Sequence, residues 1–508
     1  MSFRVYGVRL VISLMALQLV TGFLSAFYSP LISPLARAVG MHDSDWNWIE
    51  SATVIVGAIV IPVLTRLGDI VGYRKILLGS VILNAASCWW TAFAGDFWML
   101  LASYALAAVS AVWFPFTLAI IRSAATASPV PTDTDARVTS ASATLTVVSM
   151  AGAAIATIAG GTIFTLAGGS AALEAAELAG VEPATVVAFT SVLRMTLVIP
   201  AIFCTLLIPL IVFLLPATSA GTQERFDGRG LAFLASILVL LIAGLGVLKF
   251  FGLGSILGWG VILGALALVY PFVRLMLRTE EPAMDVRIFA RGVTAAPQVA
   301  QFFVAISYAT TVVPLATFAS TNPDVYGYGL GANSAQISML MGVMIITITT
   351  TAATVAALGP RINRTLLLRV SPFIHAGQFL FFIFFHNNFA HGIIAVFIGG
   401  IGAGIFLPGL AAAVVNGAPR GKTASYLGVS YSVGVIGIAV GSAVFAILLS
   451  QTAGDEGTAA PLSGYVAVWT VAFACSVAAG IAMVTLFRGP LVPVESEPET
   501  QKELVPGA

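Results

Sequence analysis

The chain has 508 residues, of which 59% are hydrophobic and only 9% are charged, and its net charge is +1. So little charge excludes a disordered chain and an ordinary soluble domain, in which about 25% of residues are charged. The near-neutral balance also excludes a basic surface for nucleic acid. This composition predicts a polytopic protein in a lipid bilayer, because each helical crossing needs about 20 mostly apolar residues.

Apolar runs divide the chain into about fourteen predicted membrane spans. Continuous apolar runs of this length are predicted to be helices, because lipid offers backbone polar groups no other partner. The first run is too long for a cleaved signal peptide. In chain order the predicted spans are 10–35, 46–65, 76–94, 97–121, 141–167, 188–215, 231–249, 256–277, 293–319, 336–358, 370–386, 392–415, 425–450 and 464–487.

Charged residues divide unequally between the two sides of this predicted bundle. With an even number of spans, both termini lie on one side, and 20 of the 23 Lys and Arg fall at that side. The positive-inside rule therefore predicts cytoplasmic termini. Lys249 is an exception at an outer end, where we expect it to snorkel towards the headgroups.

The acidic residues are all placed at span ends or in loops. Twelve of the 22 Asp and Glu lie on the predicted inner side and ten, including Glu50, on the outer side. Ionisable groups inside a membrane mark ion relays, so this distribution predicts an almost uncharged pathway.

Polar segments between the apolar runs predict loops at 122–140, 168–187 and 320–335. The cysteines Cys88, Cys204 and Cys475 are read as small buried hydrophobes, with no disulfide or metal site.

The predicted inner loop after the second span reads TRLGDIVGYRK over residues 65–75. Gly72 permits a tight turn, and Asp69 can accept charge-assisted hydrogen bonds beside basic groups. The pattern resembles motif A of the major facilitator superfamily, with Thr65 and Ile70 as departures; an ordinary positively charged turn is the alternative. In that family the motif latches the outward-open state. The gating residues that the resemblance implies are Gly68, Asp69, Gly72, Arg74 and Lys75.

Two further segments resemble the fourteen-helix drug:proton antiporter branch of that superfamily. PAMDVRIFAR over 282–291 is similar to its Pro-Leu-Leu-Asp-Leu-Arg-Leu-Phe segment. GAAIATIAGG over 152–161 is similar to the antiporter motif C, although Ala156 and Thr157 stand where Gly-Pro is expected. A packing face of small residues is the alternative interpretation. The motif C-like glycines are Gly152, Gly160 and Gly161.

The resemblance implies an all-α integral membrane protein with the major facilitator fold and fourteen transmembrane helices. Its parts would be an N-terminal six-helix half (1–215), two extra helices (216–280), a C-terminal six-helix half (281–487) and a disordered cytoplasmic tail (488–508). It also implies a monomeric secondary transporter in a bacterial inner membrane. That transporter would export a hydrophobic or amphiphilic small molecule by alternating access, without a cofactor and with the proton gradient as candidate driving force.

Two departures bear on proton coupling. Tyr104 stands where the branch has the arginine of its Arg-x-x-Gln-Gly signature, and Ser25 stands where it usually has an Asp. Proton antiport is thus implied by the resemblance and unsupported by these residues. A proton-independent facilitator or importer of a neutral solute, and a non-transporting membrane sensor or scaffold, stay as alternatives. An enzyme has no support, because the chain shows no nucleophile motif and no metal-ligand cluster.

In the family fold, spans one, four, nine and twelve of this chain would line the cavity. Span twelve offers mainly glycine, whereas the others carry neutral hydrogen-bonding and aromatic residues that suit an amphiphilic ligand. Polar contacts between helices are the alternative role. His375 is the candidate titratable group inside a span, with a satisfied histidine as the alternative. The candidate cavity residues are Gln18, Thr21, Ser25, Tyr28, Tyr104, Trp113, Gln298, Gln301 and Tyr308.

Overall fold

The computed structural model describes residues 7–126, 134–178, 183–215, 227–279, 282, 286–290, 292–358, 361–417, 423–451 and 459–487. The predicted tail at 488–508 lies outside them. All regular elements in these ranges are helical. The helices are α1 (Val8–Phe27), α2 (Ile32–Val39), α3 (Asp43–Val71), α4 (Tyr73–Ala92), α5 (Phe97–Ala107), α6 (Trp113–Thr126), α7 (Thr134–Leu166), α8 (Gly169–Leu178), α9 (Pro183–Leu214), α10 (Gly228–Phe251), α11 (Ile256–Arg278), α12 (Gly292–Tyr308), α13 (Val313–Ser320), α14 (Pro323–Tyr326), α15 (Ser334–Leu358), α16 (Arg364–Phe384), α17 (Phe389–Gly417), α18 (Thr423–Gln451) and α19 (Leu462–Thr485).

Twelve helical segments of the described chain are long and apolar enough to cross a membrane. They coincide with twelve of the fourteen predicted spans. The predicted spans 46–65 and 76–94 form α3 and α4, which are helices but are not among the twelve. Both carry charged residues, including Glu50 in α3 and Lys75 in α4. The structure therefore supports an all-α fold with twelve candidate spans, and the count of fourteen stays a prediction.

Three of the predicted spans are helical but contain a short break in the α-helix. Short 3-10 segments follow α1 (Ser29–Leu31), separate α5 from α6 (Ala108–Val112) and follow α12 (Ala309–Thr311). Pro30 is the second residue of the first segment, and Pro314 is the second residue of α13 after the last. Proline lacks the N–H that continues a helix, and such breaks often mark hinges. All three breaks fall in spans that the sequence assigns to the cavity.

The predicted loops are shorter than expected because helices occupy part of them. Helix α7 begins at Thr134, inside the predicted loop 122–140, and α8 fills much of the predicted loop 168–187. The α8 sequence GSAALEAAEL is rich in Ala, Leu and Glu, which are strong helix formers. Its acidic residues indicated an external segment, but they did not exclude a helix.

Buried side chains form one shared core at one end of the bundle and separate cores at the other. The shared core joins Phe27 and Trp46 from the first half of the chain to Phe318 and Trp469 from the second half. A second core draws only on residues 10–215, and a third only on 288–487. Helix α3 starts in the shared core and ends beside the second core, at the Gly72 turn. We call the end of the bundle that contains the start of α3 the distal end. The two halves share one core at the distal end and form separate cores near the Gly72 turn.

Helices α10 and α11 pack on each other and lie beside the seam between α3 and α18. Leu248 of α10 packs with Ile447 of α18 in one cluster, and Ile55, Leu238 and Ala439 meet in another. These contacts fix the two helices against both halves at the distal part of the seam.

Lys249 at the end of α10 pairs with a carboxylate of α3. Its Nζ donates to Asp45 Oδ1 at 2.5 Å and lies 5.7 Å from the centre of the Trp48 ring. The sequence could not show this pairing, because Asp45 lies 204 residues away. The ion pair ties α10 to the distal end of α3.

Candidate transport site

A cavity of about 270 Å³ lies among α1, α4 and the α5–α6 break. Thr21, Ser25, Tyr28 and Tyr104, four of the predicted cavity residues, line it together. Tyr431 of α18 contributes from the C-terminal part of the chain. The residues that line this cavity, which we call the tyrosine cavity, include no Asp, Glu, Lys, Arg or His.

Two hydroxyl groups of the tyrosine cavity, those of Tyr28 and Tyr104, are buried and available for hydrogen bonding. The hydroxyls of Tyr28 and Tyr104 have no oxygen or nitrogen partner among the described residues, and their ring centres are 5.7 Å apart. In contrast, Thr21 and Ser25 donate to backbone carbonyls of their own helix, at 2.8 and 2.7 Å. The Cys88 thiol is a polar group beside the Tyr28 hydroxyl. Buried polar groups in proteins are nearly always hydrogen-bonded, so two hydroxyls on one cavity wall without an oxygen or nitrogen partner indicate a place for a ligand or water.

Sequence reasoning missed the contribution of α4 to this cavity. Asn84, Ser87, Cys88 and Thr91 line it, at positions i, i+3, i+4 and i+7 of one helix face. This polar stripe in an otherwise apolar span was a readable signal. Tyr431 had no such signal, because nothing in the sequence places its helix opposite α1.

The two buried cysteines of the N-terminal half lie close together beside this cavity. Cys88 Sγ and Cys204 Sγ are 3.9 Å apart, and Asn84 Oδ1 lies 3.2 Å from Cys204 Sγ. Both thiols are free. Cys475 is free as well, but it is only half-buried, so its assignment as a fully buried hydrophobe is wrong.

The predicted cavity residues of the ninth span lie elsewhere. Gln298 lines a separate cavity of about 290 Å³ together with Phe302 and Val433, and both atoms of its amide group lack partners. Gln301 approaches Gly434 of α18. Tyr308 ends α12 just before the break. Of the three predicted residues in this span, Gln298 alone lines one of the two cavities, and it is not the tyrosine cavity.

Gln18 and Trp113 line neither cavity, because they hydrogen-bond inside the N-terminal core. Gln18 Nε2 donates to Thr117 Oγ1 at 2.9 Å, and Trp113 Nε1 donates to Ser80 Oγ at 2.9 Å. Both side chains are fully buried. These bonds join α1 to α6 and α6 to α4, which is the interhelical role left open by the sequence.

His375 is buried in the packing between α16 and α17. Its Nδ1 lies 3.3 Å from the carbonyl oxygen of Gly399, and its ring meets Phe379 edge-on at 5.2 Å. It lines neither of the two cavities.

The motif A segment forms the sharp turn between α3 and α4. Gly72 has φ +104°, in the region that favours glycine, and its N–H donates to the Gly68 carbonyl at 2.9 Å. Arg74 Nη2 donates to the Val212 carbonyl at 2.6 Å, near the end of α9. Lys75 is exposed. The Asp69 side chain lies outside the described part of the chain.

The motif C-like glycines mark close contacts of α7 with two different helices. A Cβ added at Gly152 would lie 2.1 Å from the Leu19 carbonyl oxygen, and one at Gly160 would lie 2.5 Å from that of Phe27. One at Gly161 would lie 2.0 Å from the Ser334 carbonyl oxygen. The first two glycines therefore face α1, and the third faces α15 in the other half.

The segment before α12 is partly described. Residues Val286–Ala290 form a 3-10 segment, and Asp285 and Arg291 lie outside the described residues. Arg287 Nη2 donates to the carbonyls of Leu277 and Thr279 at 3.1 and 3.4 Å. The arginine therefore satisfies backbone groups that the end of α11 leaves without helical partners.

The sequence profile of the Major Facilitator Superfamily matches residues 14–278, just over half of the chain. Similar solved structures include the peptide transporter POT in complex with sulfate (16% identity, TM-score 0.63, 96% of each chain covered). Others are the nucleoside transporter NupG (12%, 0.61, 94% of this chain and 99% of that one) and the human organic anion transporter MFSD10 (TETRAN) (16%, 0.58, 94% and 99%). At these identities the likeness shows the fold alone, and no curated protein matches by sequence. The chain belongs to the major facilitator superfamily, and it is a multi-pass membrane protein that acts as a secondary transporter of a small molecule and not as an enzyme.

Proposed function

We propose that the protein exports a hydrophobic or amphiphilic small molecule and that the tyrosine cavity is its binding site in the N-terminal half. The observation that carries this proposal is the pair of buried hydroxyls of Tyr28 and Tyr104, which lack an oxygen or nitrogen partner on a wall without charged residues. A buried unsatisfied polar group costs about 1–3 kcal/mol. A ligand with an apolar body and one or two hydrogen-bonding atoms offsets that cost and fills the remaining surface.

The proposed architecture is the fourteen-helix arrangement of the drug:proton antiporter branch. It has six-helix halves at 1–215 and 281–487, two extra helices at 216–280, and α3 and α4 as the two spans beyond the twelve candidates. The distribution of Lys and Arg supports an even number of spans and cytoplasmic termini. We place this monomer in a bacterial inner membrane, with the tail 488–508 in the cytoplasm.

In this orientation the distal end faces outwards. The shared distal core and the separate cores near the Gly72 turn then correspond to a state closed to the outside and open to the inside. Transport requires the opposite state as well, in which the distal contacts separate. The breaks after α1, between α5 and α6, and after α12 lie where hinges are needed for this change.

A facilitator or importer of a neutral solute is the second candidate function. Ser25 and Tyr104, both in the tyrosine cavity, stand where the antiporter branch carries charged residues. Transport by reconstituted vesicles that ignores an imposed pH gradient would favour this function, whereas acceleration by the gradient would favour antiport. A protein that never exposes its distal end to labelling would instead be a sensor or scaffold.

We expect Tyr104→Phe to weaken ligand binding about tenfold, because it removes one hydroxyl worth roughly 1–1.5 kcal/mol. Equilibrium binding of ethidium, rhodamine and chloramphenicol to the purified protein measures this change. Tyr326→Phe is the matched control, because Tyr326 is exposed on α14 and lies outside the tyrosine cavity. Equal affinity of the Tyr104→Phe and control variants for every bound probe would place the site elsewhere.

We expect His375→Leu to leave the pH profile of transport unchanged. The side chain lines neither cavity and makes one long hydrogen bond, so the substitution should cost about 1 kcal/mol of stability at most. Transport rates across the neutral pH range, compared with those of Phe379→Leu as a packing control, test this. A flattened profile in His375→Leu alone would restore histidine as the titrating group.

A further inference from the structure

Glu50 is a carboxyl group that bridges the two halves of the protein. It lies about 10 Å along α3 from the distal start of that helix, at 1.5 Å per residue. Its Oε2 accepts a hydrogen bond from Ser442 Oγ of α18 at 2.7 Å. Beside it, Ser51 Oγ donates to the Ala439 carbonyl at 2.9 Å. Both bonds must break if α3 and α18 separate at the distal end.

No basic side chain of the described residues forms a salt bridge with Glu50. Lys249, the cation that α10 brings to this seam, is bonded to Asp45 instead. On the elements packed against α3, the other titratable groups include His42, which caps the helix, Arg37 on α2, Tyr104 on α5, whose ring lies 5.3 Å from that of Trp46, and Tyr431 on α18. In the closed state Glu50 therefore has a hydroxyl partner and no paired positive charge.

We propose that Glu50 is a proton-binding residue of the distal gate, which closes when Glu50 is protonated and opens when it is ionised. A carboxylate held between helices without a cation is costly, whereas a neutral acid bonded to Ser442 costs much less. Separation of α3 from α18 admits water, which stabilises the carboxylate. One proton from the distal solution binds the carboxylate oxygen on closure, and the same proton leaves on opening.

This assignment rests on the proposed alternating-access cycle. A more acidic exterior would protonate Glu50 in the outward-open state and favour the inward-open state; because the proton binds from and returns to the distal side, it shifts the balance between the two states and does not itself drive net transport. Glu50 lines neither cavity, so it acts as a positioning residue of the gate and need not touch the transported molecule. Proton dependence can therefore coexist with an uncharged tyrosine cavity.

The test measures the opening of the distal gate without any transported ligand. The full chain, with Cys88, Cys204 and Cys475 changed to serine, carries spin labels at Gly95→Cys and Val325→Cys in lipid nanodiscs. Pulsed electron spin resonance gives the distance between the labels at about pH 5.5 and pH 8.5. We expect the long-distance population to grow with pH, by at most about tenfold per pH unit for one proton.

Glu50→Gln should keep the short distance at both pH values, because the amide can accept from Ser442 and cannot ionise. Ser442→Ala, which keeps the carboxyl but removes its donor, should move opening to lower pH. Asp45→Asn is the control and should retain the pH response. The proposal would be overturned if the distance between the labels did not change with pH in the protein with Glu50 intact. It would also be overturned if Glu50→Gln showed the same change of distance with pH. Failure of the export proposal would appear separately, as absence of probe binding and transport.

Discussion

Gly161→Val should abolish transport by keeping the distal ends of the two halves apart. A Cβ at this position would lie 2.0 Å from the Ser334 carbonyl and 2.3 Å from Ser338 Oγ, far inside the ~3.5 Å of an ordinary contact. The clash exists only when α7 meets α15, so it penalises the closed gate and spares the open one. Overpacking of about 1–3 kcal/mol shifts such an equilibrium by roughly 5- to 150-fold.

Distances between the spin labels at Gly95→Cys and Val325→Cys distinguish this trapping from general misfolding. Gly161→Val should show the long distance at every pH, together with loss of vesicle transport. Gly152→Val clashes with Leu19 within the N-terminal half, so it should lower thermal stability without favouring the open gate. Gly264→Val in α11, where a Cβ meets nothing within 4 Å, is the matched control. Wild-type transport by Gly161→Val would show that α7 and α15 need no such close contact.

The glycines of α7 show how far the sequence could predict the fold. A run of small residues predicts close helix packing, but it does not name the partner helix. Gly160 and Gly161 are adjacent in sequence, yet one faces α1 and the other faces α15, because successive helical residues point about 100° apart. Which neighbour stands on each side is decided by the packing of the whole bundle.

The candidate site was predictable where residues share one helix face. Thr21, Ser25 and Tyr28 lie on such a face of α1, and Tyr104 joins them from the α5–α6 region. Gln18 continues the same face of α1, but its Nε2 donates to Thr117 of α6, and the side chain does not line the cavity. Residue type and spacing could not distinguish a ligand-facing amide from one that already donates to a neighbouring helix.

Glu50 illustrates the limit for long-range polar contacts. The sequence correctly counts it among the carboxylates towards one end of the bundle, because it comes early in α3. Its partner Ser442 lies 392 residues away and is one of many serines in apolar helices. Only the tertiary structure reveals that this carboxyl joins the two halves, which is the property that distinguishes it from the other acidic residues near span ends.

Asp69→Asn should abolish transport while leaving expression and thermal stability near those of the unmodified protein. Asp69 lies in the last turn of α3, where the helix dipole disfavours a carboxylate by about 0.3–1 kcal/mol. An acidic residue at such a position gives the isolated helix no benefit, so we expect its charge to serve contacts that form in another state. The isosteric amide removes that charge and keeps the fold, including the Gly72 turn and the Arg74 bond to α9.

Paired measurements of vesicle transport and thermal unfolding separate this gating role from a structural one. Asp96→Asn is the matched control at the distal end, because Asp96 caps α5 by accepting from the Met99 N–H at 2.8 Å. Weakening that cap costs about 1 kcal/mol at most and should leave transport intact. Asp69→Asn should show the reverse pattern, with normal unfolding and no transport. Full transport by Asp69→Asn would reduce the motif to a positively charged turn, and the gate would then depend on the distal contacts alone.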